Sequence, residues 1–158
     1  MIDHFQRYVL PAAYGLLVPR MNSPEASALM LAIGAQESRF VHRHQINGPA
    51  RGFFMFEKSG VSGVLEHKAS ATYARDVCRS LCYEPTVTTV YHAIADNDVL
   101  ACAFARLLLW TLPEPMPGRD GEAAGLVQYL DAWRPGKPHP ETWADCWARA
   151  WAAVEAEK

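Results

Sequence analysis

Residues 24–57 read PEASALMLAIGAQESRFVHRHQINGPARGFFMFE, and the fold turns on how this stretch divides. The first half has an explicit helix start. Ser23 suits the capping position, Pro24 the first turn, and Glu25 complements the positive end of the helix. The helix runs to about Ser38 through a strongly apolar run, Ala28 to Ile33, and delivers a carboxylate, Glu37, at its end. The second half loses helical periodicity. It passes His42, His44 and a Gly48-Pro49 turn, then crowds Phe53, Phe54 and Phe56 around Met55.

Outward from this stretch the pattern is helices joined by proline-rich turns. Residues 3–18 are expected to be helical, with Phe5, Tyr8, Val9 and Leu16 available for burial. Residues 41–66 hold four glycines and are expected to form loops with at most a short irregular hairpin. Helices resume at about 70–83, 86–94 and 97–111, and the last is apolar enough to be a central buried element. Two more follow, at about 121–133 and 140–156. In the final one Trp143, Trp147 and Trp151 recur every four residues, most simply a packing face, with a sugar-stacking platform as the alternative. The expected fold class is mainly α, with residues 1–158 as a single domain.

The totals exclude several functions. A formal charge of −2 gives no electrostatic footprint for nucleic acid, so no nucleic-acid partner is expected. No segment approaches the roughly 18 apolar residues a bilayer span requires, so no membrane insertion is expected either. Met1 to Met21 lacks the basic start and unbroken apolar stretch of a signal peptide, being interrupted by Pro11 and Pro19. The expectation is a protein made in the cytoplasm. Of the four cysteines, Cys78 and Cys82 are spaced to share a helix face as small apolar side chains. No zinc-type spacing accompanies them or the His42/His44 pair, so neither metal nor other cofactor is expected. Oligomeric state is not legible.

Glu37 has three reasons to hold its proton tightly. The carbonyls at a helix C-terminus disfavour a negative charge, the apolar helix brings burial, and the phenylalanine loop offers a low-polarity wall. A carboxylic acid still protonated near neutral pH is what glycosidic cleavage needs, because the leaving oxygen must receive a proton. The plain alternative is a surface ion pair of Glu37 with Arg39, Arg43 or Arg51, and composition and spacing alone favour it.

Glu37-Ser38-Arg39-Phe40 followed by Ala50-Arg51-Gly52-Phe53-Phe54-Met55 resembles the signature of the soluble lytic transglycosylase and goose-type lysozyme family. It is similar also to small phage or prophage endolysin-like proteins of the lysozyme-like superfamily. The resemblance covers residues 29–57, about a fifth of the chain. It implies a lysozyme-like helical domain that cuts β-1,4 MurNAc–GlcNAc bonds in the glycan strands of peptidoglycan. Glu37 would be the general acid/base. Ser38 would orient it or the substrate, Gly52 would let a sugar approach the backbone, and Phe53 and Phe54 would stand at apolar positions of the cleft. Met55 stands where the family carries glutamine, which trades a hydrogen-bonding side chain for one that only packs. The family's later Ala-Tyr-Asn-Ala-Gly segment is missing, and Tyr129 is its nearest stand-in.

A hydrolase of the inverting kind would need a second carboxylate about 6.5–9.5 Å from the first, and Glu57 is the candidate; a transglycosylase needs only Glu37. The basic, rigid segment Trp133 to Pro140 either lines the cleft or merely connects helices. Without a signal, such an enzyme would reach the wall through a pore or in a virion. The rival expectation, favoured by Met55, is a catalytically inactive lysozyme-like phage structural or glycan-binding module.

Overall fold

The computed structural model describes residues 1–157, which are mainly helical. The N-terminal helical stretch is interrupted where its sequence requires. Pro11 has no N–H and its ring crowds the preceding turn, and the chain answers by widening that turn. Helix α1 (Ile2–His4) passes into a π turn (Phe5–Val9), where the Leu10 N–H donates to the Phe5 carbonyl, and α2 (Leu10–Tyr14) follows. Phe5, Val9, Leu10 and Ala13 are thereby buried together.

Helix α3 (Pro24–Ser38) starts as expected, the Ser23 hydroxyl accepting from the Ala26 N–H at 3.1 Å. Every residue from Ala26 to Ala35 is buried, so no face is left for solvent and the helix runs through the core. A second buried helix, α7 (Asp98–Trp110), begins at an Asn97 cap that accepts from the Leu100 N–H at 3.0 Å. Between them in sequence lie α4 (Lys58–Glu66), α5 (Ala71–Ser80) and α6 (Val87–Ala93). The chain closes with α8 (Glu122–Trp133), a 3-10 turn at Pro140–Thr142 and α9 (Trp143–Glu155), which packs along α3.

Two expectations are corrected. Residues 58–66 are helix α4 rather than part of an irregular loop. Gly60 and Gly63 hide its periodicity, but Val61, Val64 and Leu65 lie on one face and are buried against neighbouring helices. That burial outweighs a propensity cost of about 1 kcal/mol per glycine. Helix α5 also ends earlier than expected, at Ser80, and Cys82 falls beyond it in a left-handed turn (φ 60°). Cys78 is buried while Cys82 is exposed, so the two do not share a face.

The remaining loop, residues 41–57, is irregular. Among the described residues its extended character is limited to two isolated antiparallel bridges, His44 with Arg51 and Arg51 with Phe56.

The tryptophans of α9 are structural. All three are buried. The Trp143 indole donates to the Glu122 carbonyl at 3.0 Å and that of Trp147 to the Arg119 carbonyl at 2.8 Å, which joins α9 to the start of α8. Gly125 lets this packing close up, since a Cβ there would stand 2.7 Å from the Trp147 ring. Among the described residues no helix is long and apolar enough to cross a membrane.

Candidate active site

Glu37 sits in the last turn of α3, on the wall of an open cleft of about 1140 Å³. The cleft is walled by the end of α3, loop residues including Met55 and Phe56, the start of α4, and the end of α8 with the connector behind it. Its position follows from the sequence. A helix without a polar face must end at the surface of the core it threads, so its last turn delivers a side chain to the boundary between core and solvent.

None of the three arginines near Glu37 in sequence pairs with it. The Arg43 guanidinium is bound to Asp98, with Nη2 to Oδ2 at 2.7 Å. The Arg51 guanidinium donates to the carbonyls of Gly48 and Ala50. Arg39, in a left-handed conformation that ends α3, makes no ion pair among the described residues.

The carboxyl is instead met by a neutral donor: the Tyr129 hydroxyl donates to Glu37 Oε1 at 2.6 Å. Burial, with no cation to oppose it, pushes the Glu37 carboxyl up to about 7, and the Tyr129 hydrogen bond, the smaller effect, pulls the other way. The Tyr129 phenol is itself pushed up by burial and by Glu37, so it remains a donor.

Tyr129 engages only Oε1, so among the described residues Oε2 has no hydrogen-bond partner. Tyr129 is held in place. Its ring stacks on Trp143 with centroids 5.3 Å apart and an interplanar angle of 8°. Trp143 is fixed in turn by its bond to Glu122.

The other candidates divide. Tyr129, Met55 and Glu57 line the cleft with Glu37. Met55 does so through a left-handed backbone (φ 48°), closing a turn in which its N–H donates to the Gly52 carbonyl at 3.0 Å. Ser38 borders the cleft, but its side chain is occupied with the backbone. Its hydroxyl donates to the Gly34 carbonyl and accepts from the Phe40 N–H, both at 3.1 Å, which finishes the helix.

Gly52, Phe53 and Phe54 lie elsewhere, and their expected place on the cleft wall is corrected. Phe53 and Phe54 pack edge-on against Phe5 inside the core, with Phe40 beside them. Gly52 (φ 70°) abuts Ile94, just beyond α6. The low-polarity wall comes from Met55 and Phe56 instead.

One cleft residue escaped the sequence. Asp131, two residues beyond Tyr129, also lines the cleft and is a second carboxylate besides Glu57. Its distance from Glu37 along the chain removed every local cue. Trp133 ties the cleft walls together, its indole donating to the Phe54 carbonyl at 2.8 Å. His42 and His44 line the cleft too, but no cluster of three His, Cys, Asp or Glu suited to a metal occurs among the described residues.

Tyr129→Phe is expected to raise the titration midpoint of Glu37 further, because the lost bond favours the ionised form. A hydrogen bond to a charged group worth about 1.5 kcal/mol corresponds to about one pH unit. Carboxyl-carbon NMR on the variant checks this, and a lowered midpoint would contradict the role given to Tyr129.

Comparison with protein-family models, with curated proteins and with solved structures finds no match for this chain.

Proposed function

We propose that the protein is a lysozyme-like muramidase of lytic transglycosylase type, acting on the β-1,4 glycan strands of peptidoglycan. The observation that carries this reading is the state of Glu37: partly buried, free of any cationic partner, held by a neutral donor and open to a large cleft. Such a carboxyl is a proton donor near neutral pH. The Glu-Ser and Ala-x-Gly resemblance supplies the substrate class.

In this reading the Glu37 carboxyl gives its proton to the glycosidic oxygen as the bond from that oxygen to the sugar C1 breaks. The resulting carboxylate then takes the proton of the same sugar's C6 hydroxyl, whose oxygen closes on C1 to form the anhydro ring. One carboxyl acts twice and no water enters the product. Glu57 and Asp131 are exposed, and neither is needed for this route.

Digestion of purified peptidoglycan followed by mass analysis is expected to release 1,6-anhydro-muropeptides. Products with reducing ends would move the assignment to a hydrolase and give Glu57 or Asp131 the role of base. Met55, standing in the cleft without hydrogen-bonding capacity, favours a second reading, a glycan-binding module that keeps the fold without turnover. Strand binding with no product of either kind would select it.

A further inference from the structure

The connector between α8 and α9 is tethered at both ends across the cleft. At one end Trp133 donates to the Phe54 carbonyl at 2.8 Å. At the other, Gln36 on α3 donates from Nε2 to the His139 carbonyl at 2.9 Å and accepts from the Thr142 hydroxyl at 3.0 Å. Pro135, Pro138 and Pro140 stiffen the span between these anchors. A connector built only to join two helices needs neither tether.

Arg134 and Lys137 lie between the tethers. Both line the cleft, as does Arg39 at the end of α3, and none of the three is in an ion pair among the described residues, although Arg134 Nε donates to the Asp131 carbonyl at 3.2 Å. Glu57 and Asp131 line the cleft as well, so its basic groups are not a simple excess of charge. What distinguishes Arg39 and Arg134, though not Lys137, is backbone conformation. Arg39 (φ 53°) ends α3 and Arg134 (φ 48°) ends α8, each in the left-handed region where glycine is the least strained residue. Two helices that close on the same cleft thus both carry an arginine where glycine would fit with less strain. Phe40, Asn47, Met55 and Cys82 share this region of φ, so it is the coincidence of two such arginines on one cleft that points to a use.

We propose that Arg134, Lys137 and Arg39 form an anion subsite of the cleft, which seats carboxylates of the peptide stems carried by the glycan next to the bond Glu37 protonates. The proposal rests on the reading of the cleft as a peptidoglycan site. It assigns recognition of the peptide to the connector and cleavage of the sugar to α3 and α8. It also explains how a chain of net charge −2 holds an anionic polymer: the attraction is local to the cleft.

The test is binding by the Glu37→Gln protein, which holds strands without cutting them. The probes are soluble uncross-linked glycan strands, free of phosphate polymers, with stem carboxylates either free or amidated. Free-carboxylate strands are expected to bind about tenfold more tightly at low salt, with the preference shrinking as salt rises. Adding Arg134→Gly and Lys137→Gln removes the preference, while Arg134→Gly raises the melting temperature by relieving the left-handed strain. Lys137→Gln alone, at an exposed position, reduces the preference, and Arg149→Gln on the outer surface of α9 leaves it intact.

Equal binding of the two strands, or a preference that survives the double substitution, overturns the subsite. The outcomes separate this proposal from the one before it. Charge-selective binding by a wild-type protein that cuts neither strand removes the glycosidase and keeps the subsite. Cleavage without charge preference removes the subsite alone. Binding to neither strand removes both.

Discussion

Glu37→Gln is expected to lower glycan cleavage by roughly 10²–10⁴-fold, the span associated with loss of a general acid. The amide keeps the shape and the contact with Tyr129 but has no proton to give. Stability should move the other way, and the direction depends on pH. The folded protein holds the Glu37 proton up to about 7, against 4.5 for an ordinary glutamate, so the folded state binds it more tightly than the unfolded chain. Protonation at this site therefore favours folding. That contribution is fully present below about 4.5 and is lost as the pH rises through about 7.

At pH 8 the ionised carboxyl costs the wild type up to about 3 kcal/mol that glutamine does not incur. The variant should melt higher than wild type at pH 8 and nearly equal to it at pH 4. Paired melting and cleavage measurements check both halves. A variant that melts lower at pH 8 and still cuts glycan would show a structural glutamate.

The second large effect is at Gly52, where the expected loss is of stability rather than of sugar binding. A Cβ at this position would stand 2.7 Å from Ile94 Cγ2 and 2.8 Å from the Ile94 carbonyl oxygen. The carbonyl belongs to the backbone and cannot rotate away. The left-handed backbone adds its own penalty for any residue with a side chain. Together strain and overpacking put Gly52→Ala at roughly 2–5 kcal/mol of destabilisation, or a fall of about 5–15 °C in melting temperature.

Gly63→Ala is the matched control. It lies in α4 with nothing within 4 Å of its would-be Cβ, so it should stabilise by up to about 1 kcal/mol through helix propensity. A Gly52→Ala protein that melted like wild type but bound glycan poorly would restore the close-approach role expected from the sequence.

What could be read from the chain follows from which physical signals are local. The start of α3 was legible because Ser23, Pro24 and Glu25 act on the adjacent turn. The acid at its end was legible because an apolar helix that stops must deliver its last side chain to a boundary. Helix α4 was hidden because two glycines dilute its periodicity, and only burial of Val61, Val64 and Leu65 supports it.

The phenylalanines misled for a different reason. Composition reports that residues 53–56 are apolar but not which way each points. The left-handed turn at Met55 sends Phe53 and Phe54 into the core and leaves Met55 and Phe56 at the cleft. Two residues that share the cleft with Glu37 lie near the other end of the chain. Tyr129 was reachable only through a family resemblance, and Asp131 through nothing local. Their meeting with Glu37 depends on α9 docking along α3 and α8 docking on α7 and α9, which the tryptophan stripe makes possible but does not specify.

The central claim is that Glu37 keeps its proton near neutral pH because it is buried without a cation. The most direct measurement is the titration of its carboxyl carbon by NMR, in protein labelled at glutamate, with Glu37→Gln identifying the resonance. A midpoint near 7 is predicted. A midpoint near the ordinary 4.5 would mean an ionised side chain at working pH, and would contradict the assignment of Glu37 as the acid.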